Sequence, residues 1–166
     1  MEYRIVFVVF FCLLMFYLAY KNSGSDAKNM INFKRYSCDV QMAIRKDDDL
    51  KKIAPDDKGV LTLMISNLII NLILFGFFGV IFKKQLAFTG YMDAFIFFLI
   101  AGELVNLFDL LVIRMLWWPN TKRIRFSILP KKECYQDYKM HFNIFLMNIP
   151  VYLVVALLVA LFVRQL

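Results

Sequence analysis

Histidine occurs once in this 166-residue chain, at His141, cysteine three times and glycine six times. A single histidine excludes a zinc site built on a histidine pair. Cys12, Cys38 and Cys134 lie far apart and form no CxxC, which argues against a thiol–disulfide enzyme and a thiolate metal centre. There is no glycine-rich phosphate loop, no GxSxG and no serine–histidine arrangement of the kind hydrolases use. The acidic clusters Asp47-Asp48-Asp49 and Asp56-Asp57 lack EF-hand spacing and are flanked by Lys and Arg, so they read as solvated charge. No internal repeat of roughly 20–50 residues is present. These absences leave no catalytic, metal or cofactor site to assign.

What the chain has instead is apolar surface. Hydrophobic residues make up 61% of it, against about 45–50% in soluble proteins. Eighteen Phe, eight Tyr and two Trp exceed what a soluble core of this size buries. The net charge of +7 flanks the hydrophobic runs, so anionic lipid headgroups are expected as partners rather than nucleic acid.

Four uncharged or nearly uncharged runs predict an all-α membrane protein, a four-transmembrane-helix bundle with two cytoplasmic loops. The spans are expected at about 4–20, 59–82, 93–116 and 142–164, in one membrane domain over 1–166. A cleaved signal peptide is the rival reading of the first run. Ser25-Asp26-Ala27 is only a weak small-residue cleavage site and Lys21 interrupts the approach to it, which favours a retained helix. The loops, 21–58 and 118–141, carry the charge: Lys21–Lys58 holds nine Lys/Arg and Asn120–His141 six, against Arg4, Lys83, Lys84 and Arg164 on the other side. Positive charge stays cytoplasmic, so the loops are expected inside and both termini outside.

Read at ~100° per residue, the third span gathers Glu103, Asn106, Asp109 and Arg114 on one side. Its other arc, including Phe97, Phe98, Ala101, Leu104, Val105, Phe108, Leu111 and Met115, is apolar and expected to face outward. Glu103 falls near mid-bilayer, at the depth of Asn71 in the second span. Asn67, Asn106 and Asn148 fall ~5–7 Å toward the cytoplasmic side at 1.5 Å per residue, with Asp109 slightly further. Asn67, Asn71, Glu103, Asn106, Asp109 and Asn148 are therefore expected to converge as an intramembrane polar layer, with Glu103 bonding Asn71. Asparagines of this kind commonly join helices, whereas an intramembrane carboxyl is a functional candidate. Pro150, which removes an N–H partner from the Leu146 carbonyl, is expected to bend the fourth helix.

Arg114 is expected to snorkel to the headgroups, joined by Lys122, Arg123, Arg125, Lys131 and Lys132. Lys122–Leu129 alternates in polarity, predicting a short strand or extended interfacial segment with Ile124, Phe126 and Ile128 on one face. Val40, Ala43, Ile44 and Ile53 predict a short amphipathic helix ending before Pro55, and His141 is expected to cap an interfacial turn.

Phe108–Ile113, Trp117, Pro130-Lys131-Lys132-Glu133 and the run from Tyr135 to Phe142 resemble a group of small four-helix bacterial membrane proteins of unassigned function. In that group an acidic, tryptophan-containing stretch ends the third helix, and P-G-T-E and Y-x-D-Y-x-x-H-F elements follow. Here Lys131-Lys132 replace Gly-Thr, and Arg114 stands where an acid is expected. The resemblance covers roughly a quarter of the chain and implies a bacterial, four-span protein with no known activity.

The function expected is a non-enzymatic assembling subunit: an oligomeric sensor, accessory or pore-forming component, homo-oligomeric or part of a membrane complex. A proton- or ion-coupled transporter or channel with Glu103 in its pathway is the alternative. A membrane enzyme acting on lipid or peptide is third, since no nucleophile–base pair recommends it.

Overall fold

The computed structural model describes residues 2–55 and 60–165, and among them every regular element is helical. Asp56-Asp57 and the expected start of the second span at Gly59 lie outside the described residues. The helices are α1 (Glu2–Lys21), α2 (Cys38–Lys46), α3 (Val60–Ile81), α4 (Tyr91–Phe108) and α5 (Tyr138–Gln165). Several single turns lie between them. Four helices are long and apolar enough to cross a membrane: α1, α3, α4 with its continuation to Asn120, and α5, in which Pro150 is embedded.

Local chemistry sets the ends. Ser37 Oγ accepts the Val40 N–H at the start of α2, and Asp47 Oδ1 accepts the Leu50 N–H at the start of the turn Leu50–Ile53. Such side-chain acceptors satisfy the orphan donors of a first turn. Ala87, with φ of 47°, ends the turn after α3 in the left-handed region. Asp93 then accepts both the N–H and the hydroxyl of Thr89, fixing the start of α4.

The chain divides into two compact units, one comprising Met1–Cys12, Lys58–Leu107 and Phe145–Leu166, the other Leu13–Asp57 and Phe108–Ile144. The first is a helical unit with an aromatic centre. The Phe11 and Phe75 rings lie 4.4 Å apart, Phe7 and Phe97 5.5 Å, and Phe75 and Tyr152 6.0 Å. Helix α5 buries Val151, Val155, Val159 and Val163 together with Tyr152, Ala156 and Ala160, while Leu153, Leu157 and Leu161 stay exposed. A four-residue step keeps one face of a helix inward.

Arg4 ties α1 into this unit. Its guanidinium donates to both Asp93 oxygens, at 2.8 and 2.7 Å, and its Nε donates to the Leu86 carbonyl. Phe88 and Phe97 offer ring faces to the same cation at 5.3 and 5.5 Å. A bidentate fork with aromatic neighbours suits arginine and no other residue.

The outward arc expected of the third span needs correction. Leu104, Leu111 and Leu116 are exposed, but Phe97, Phe98, Ala101 and Val105 are buried, and Phe108 and Met115 are half-buried. Between apolar helices, polarity does not separate inside from outside; small residues that admit close approach do. Gly102 is such a residue.

The second unit has its own hydrophobic core, built largely from the two segments expected as loops. Met30, Phe33, Tyr36, Val40, Ile44 and Leu50 pack with Ile113, Trp118, Ile124, Phe126 and Tyr135. Tyr36 stacks on Trp118 at 5.1 Å and donates its hydroxyl to the Ile124 carbonyl at 3.0 Å. Burial pushes that hydroxyl well above its ordinary pKa, so it remains a donor. Tyr135 donates to the Leu129 carbonyl and accepts the Phe126 N–H. The strand expected at Lys122–Leu129 does not form. Ile124 and Phe126 are buried as the alternation requires, but Ile128 is exposed and the backbone closes on itself, Arg125 N–H to Lys122 and Leu129 N–H to Phe126. Side-chain and turn hydrogen bonds here take the place of a ladder partner.

The close approach at Gly102 generates a prediction. A Cβ there would lie 2.6 Å from the Tyr152 ring, whereas one at Gly76 would meet nothing within 4 Å. Gly102→Ala should destabilise the protein by about 1–3 kcal/mol through overpacking. Gly76→Ala, with open space for its Cβ, should leave stability equal or raise it by up to ~1 kcal/mol. Thermal unfolding in detergent compares the two, and equal melting temperatures would contradict the packing described.

Candidate functional site

The polar groups of the long helices do not all meet. In the helical unit, Asn106 Nδ2 donates to Glu103 Oε2 at 3.3 Å and to the Phe145 carbonyl at 3.2 Å. Asn148 Nδ2 reaches Asn106 Oδ1 at 3.4 Å. Glu103, Asn106 and Asn148 thus form a small network joining α4 to α5, with Glu103 Oε1 buried and unpartnered. Asn71 departs from the expected layer. Its amide donates to the Asn67 carbonyl of its own helix at 2.8 Å, and among the described residues no hydrogen bond links either to Glu103 or Asn106. An amide side chain without a neighbouring acceptor satisfies itself on the preceding turn.

Asp109 belongs to a different constellation, in the loop-built unit. From Asp109 to Trp117 the helix widens, and the Trp118 N–H donates to the Ile113 carbonyl five residues back. On an α-helix, residues five apart diverge by about 140°. In the widened turn they share a face, and Arg114 Nε donates to Asp109 Oδ2 at 2.7 Å. Arg114 is only 2% exposed, so it does not snorkel to headgroups as expected. Its guanidinium lies 5.9 Å from the Trp118 ring, whose edge-to-face partner is His141. His141 is buried in the first turn of α5, not placed as a cap; Arg114 Nη1 and both His141 ring nitrogens lack hydrogen-bond partners among the described residues.

The basic residues of Lys122–Lys132 divide by type. Arg123 donates to the Tyr20 and Ser23 carbonyls and to Ser23 Oγ, with its guanidinium 3.9 Å over the Tyr20 ring. Arg125 donates to the Pro119 and Pro130 carbonyls. Both arginines therefore brace the backbone. Lys122 and Lys131 are exposed, and Lys132 Nζ bonds Asn120 Oδ1 at 2.7 Å. Among the described residues no three His, Cys, Asp or Glu side chains converge as metal ligands.

Trp118, His141, Tyr36 and Tyr135 were not singled out as a set by the sequence. Their common signal is a polar aromatic bordering an apolar run, which equally marks a membrane interface.

A buried pair predicts an asymmetric response to mutation. Asp109→Ala leaves a buried guanidinium uncompensated and should cost roughly 3–5 kcal/mol. The double change Asp109→Leu with Arg114→Met should recover most of that loss. Denaturant unfolding of the three proteins tests this, and a single variant as stable as the parent would show that the pair is not buried in the folded protein.

No family model, curated protein or solved structure matches the chain, so the site is read on its own geometry.

Proposed function

We propose that the chain is a multi-pass protein of the bacterial inner membrane, a non-enzymatic assembling subunit with its basic segments in the cytoplasm and both termini outside. The observation that carries this reading is the breadth of uncovered apolar helix. Only 11% of the apolar stretch of α1 and 17% of that of α3 is buried. Ile5, Val9 and Leu13 on α1, and Ile65, Ile69, Ile73 and Phe77 on α3, stand exposed. Surface of that extent requires lipid, other protein, or both. The resemblance to small four-helix bacterial membrane proteins and the charge asymmetry of the segments agree with it.

A second reading, an ion-coupled transporter or channel, draws on one feature: the buried, unpartnered Glu103 Oε1 beside Asn106. A carboxyl in that setting either donates a hydrogen bond or carries a proton.

Two measurements separate these readings. Cysteine placed at Lys28 or Lys131, in a background lacking Cys12, Cys38 and Cys134, should resist an impermeant thiol reagent in intact cells, while cysteine at Gln85 should react; the reverse pattern overturns the orientation. Native mass spectrometry should show an oligomer or a co-purifying partner, and Glu103→Gln should preserve it. A monomer alone would remove the assembling-subunit reading. A pH-dependent flux in proteoliposomes that Glu103→Gln abolishes would establish the transporter in its place.

A further inference from the structure

The loop-built unit carries a cleft of about 510 Å³ lined by Phe16, Val112, Leu116, Trp117, Asn120 and Thr121. Its chemistry changes from one end to the other. Val112 and Leu116 are aliphatic, and Phe16 and Trp117 meet edge-to-face at 5.3 Å. Asn120 and Thr121 close the cleft with polar groups.

The cations gather at the polar end. Lys132 Nζ is held 2.7 Å from Asn120 Oδ1, and exposed Lys122 follows Thr121 in the chain. The Arg123 guanidinium is fixed over Tyr20, whose ring is 6.5 Å from that of Trp117. None of the six residues lining the cleft is acidic. Asp109 is paired with Arg114, Asp26 accepts from Ser127, and Glu133 follows Lys132 in the chain and is exposed. An aliphatic and aromatic trough ending in amide, hydroxyl and ammonium groups matches one ligand shape, an apolar chain with an anionic head.

We propose that this cleft binds a single anionic phospholipid, its acyl chain along Val112, Leu116 and Trp117 and its phosphate at Lys132 and Lys122. The assignment rests on the membrane reading above and adds to it a defined site and a headgroup charge. Lys132 is the determining contact, because the Asn120 amide oxygen fixes its ammonium at the cleft mouth. Arg123 is a positioning residue, holding Tyr20 beside Trp117.

Trp117 provides the test. In a Trp118→Phe background it is the sole indole. The full chain is reconstituted into phosphatidylcholine vesicles carrying a minor fraction of either brominated phosphatidylglycerol or brominated phosphatidylcholine. Bromine quenches the indole only at close range, so the anionic lipid should quench Trp117 at a markedly lower mole fraction than the zwitterionic one. Lys132→Gln should reduce that preference about fivefold and Lys122→Gln by a similar factor, as expected for loss of one cation near an anionic group. Lys132→Arg should retain it. Should Trp118→Phe fold poorly, the same comparison is made in the natural chain, where buried Trp118 adds a constant background. Equal quenching by the two lipids overturns the proposal and leaves the membrane reading intact. Quenching by neither overturns both, because Trp117 would then lie away from any bilayer.

Discussion

The ion pair between Asp109 and Arg114 constrains how the loop-built unit can fold. It is buried, so neither charge tolerates loss of the other, and it joins residues that a regular α-helix holds on different faces. The widened turn over Asp109–Trp117 is the backbone's answer. The same widening directs Ile113 and Trp118 into the core of that unit, where Trp118 meets Tyr36 and His141. Restoring regular geometry would separate the charges and redirect the core residues together, so the pair and the core are parts of one arrangement.

The helical unit follows a different rule. Apart from the Arg4–Asp93 pair, its close packing involves small residues and aromatic rings. Gly102 admits the Tyr152 ring, and Gly79 brings Phe98 and Val163 close. In an apolar surround the hydrophobic effect does not distinguish one leucine-covered face from another, leaving dispersion contact and hydrogen bonds between helices to select the partners. Asn106 meets this need twice, donating to the Phe145 carbonyl and accepting from Asn148, both on α5.

The four long helices were legible because charge-free length is a strong signal. The Asn106–Asn148 contact was legible too, from depth along the helices. Three features were not. Angular reading put Asp109 and Arg114 on the same polar side but, with constant α-geometry, about 140° apart, so no pair was expected and Arg114 was assigned to the headgroups by its length and place at the span's end. Depth alone drew Asn71 toward Glu103, although an amide can close on its own helix. The segments around Lys21–Lys58 and Asn120–His141 read as charged loops because their core residues are spaced irregularly along the chain. Neither helical nor strand periodicity unites Phe33, Tyr36, Ile124 and Tyr135.

Charge counting has a related limit, visible in the residues around the cleft. Arg123 and Arg125 contribute to any tally of positive residues, but their forks are occupied by backbone carbonyls at Tyr20, Ser23, Pro119 and Pro130. Lys122 and Lys131 stay exposed. The difference follows from the side chains. A planar guanidinium bonds several fixed acceptors at once and is weakly hydrated, whereas an ammonium is compact and strongly hydrated. Arginine is accordingly suited to bracing a segment that has no ladder, and lysine to remaining at a wet surface. Engaged arginines still add to the field of the unit, since a hydrogen bond to a carbonyl leaves their charge in place. What they lose is the freedom to reorient, which the exposed Lys122 and Lys131 keep.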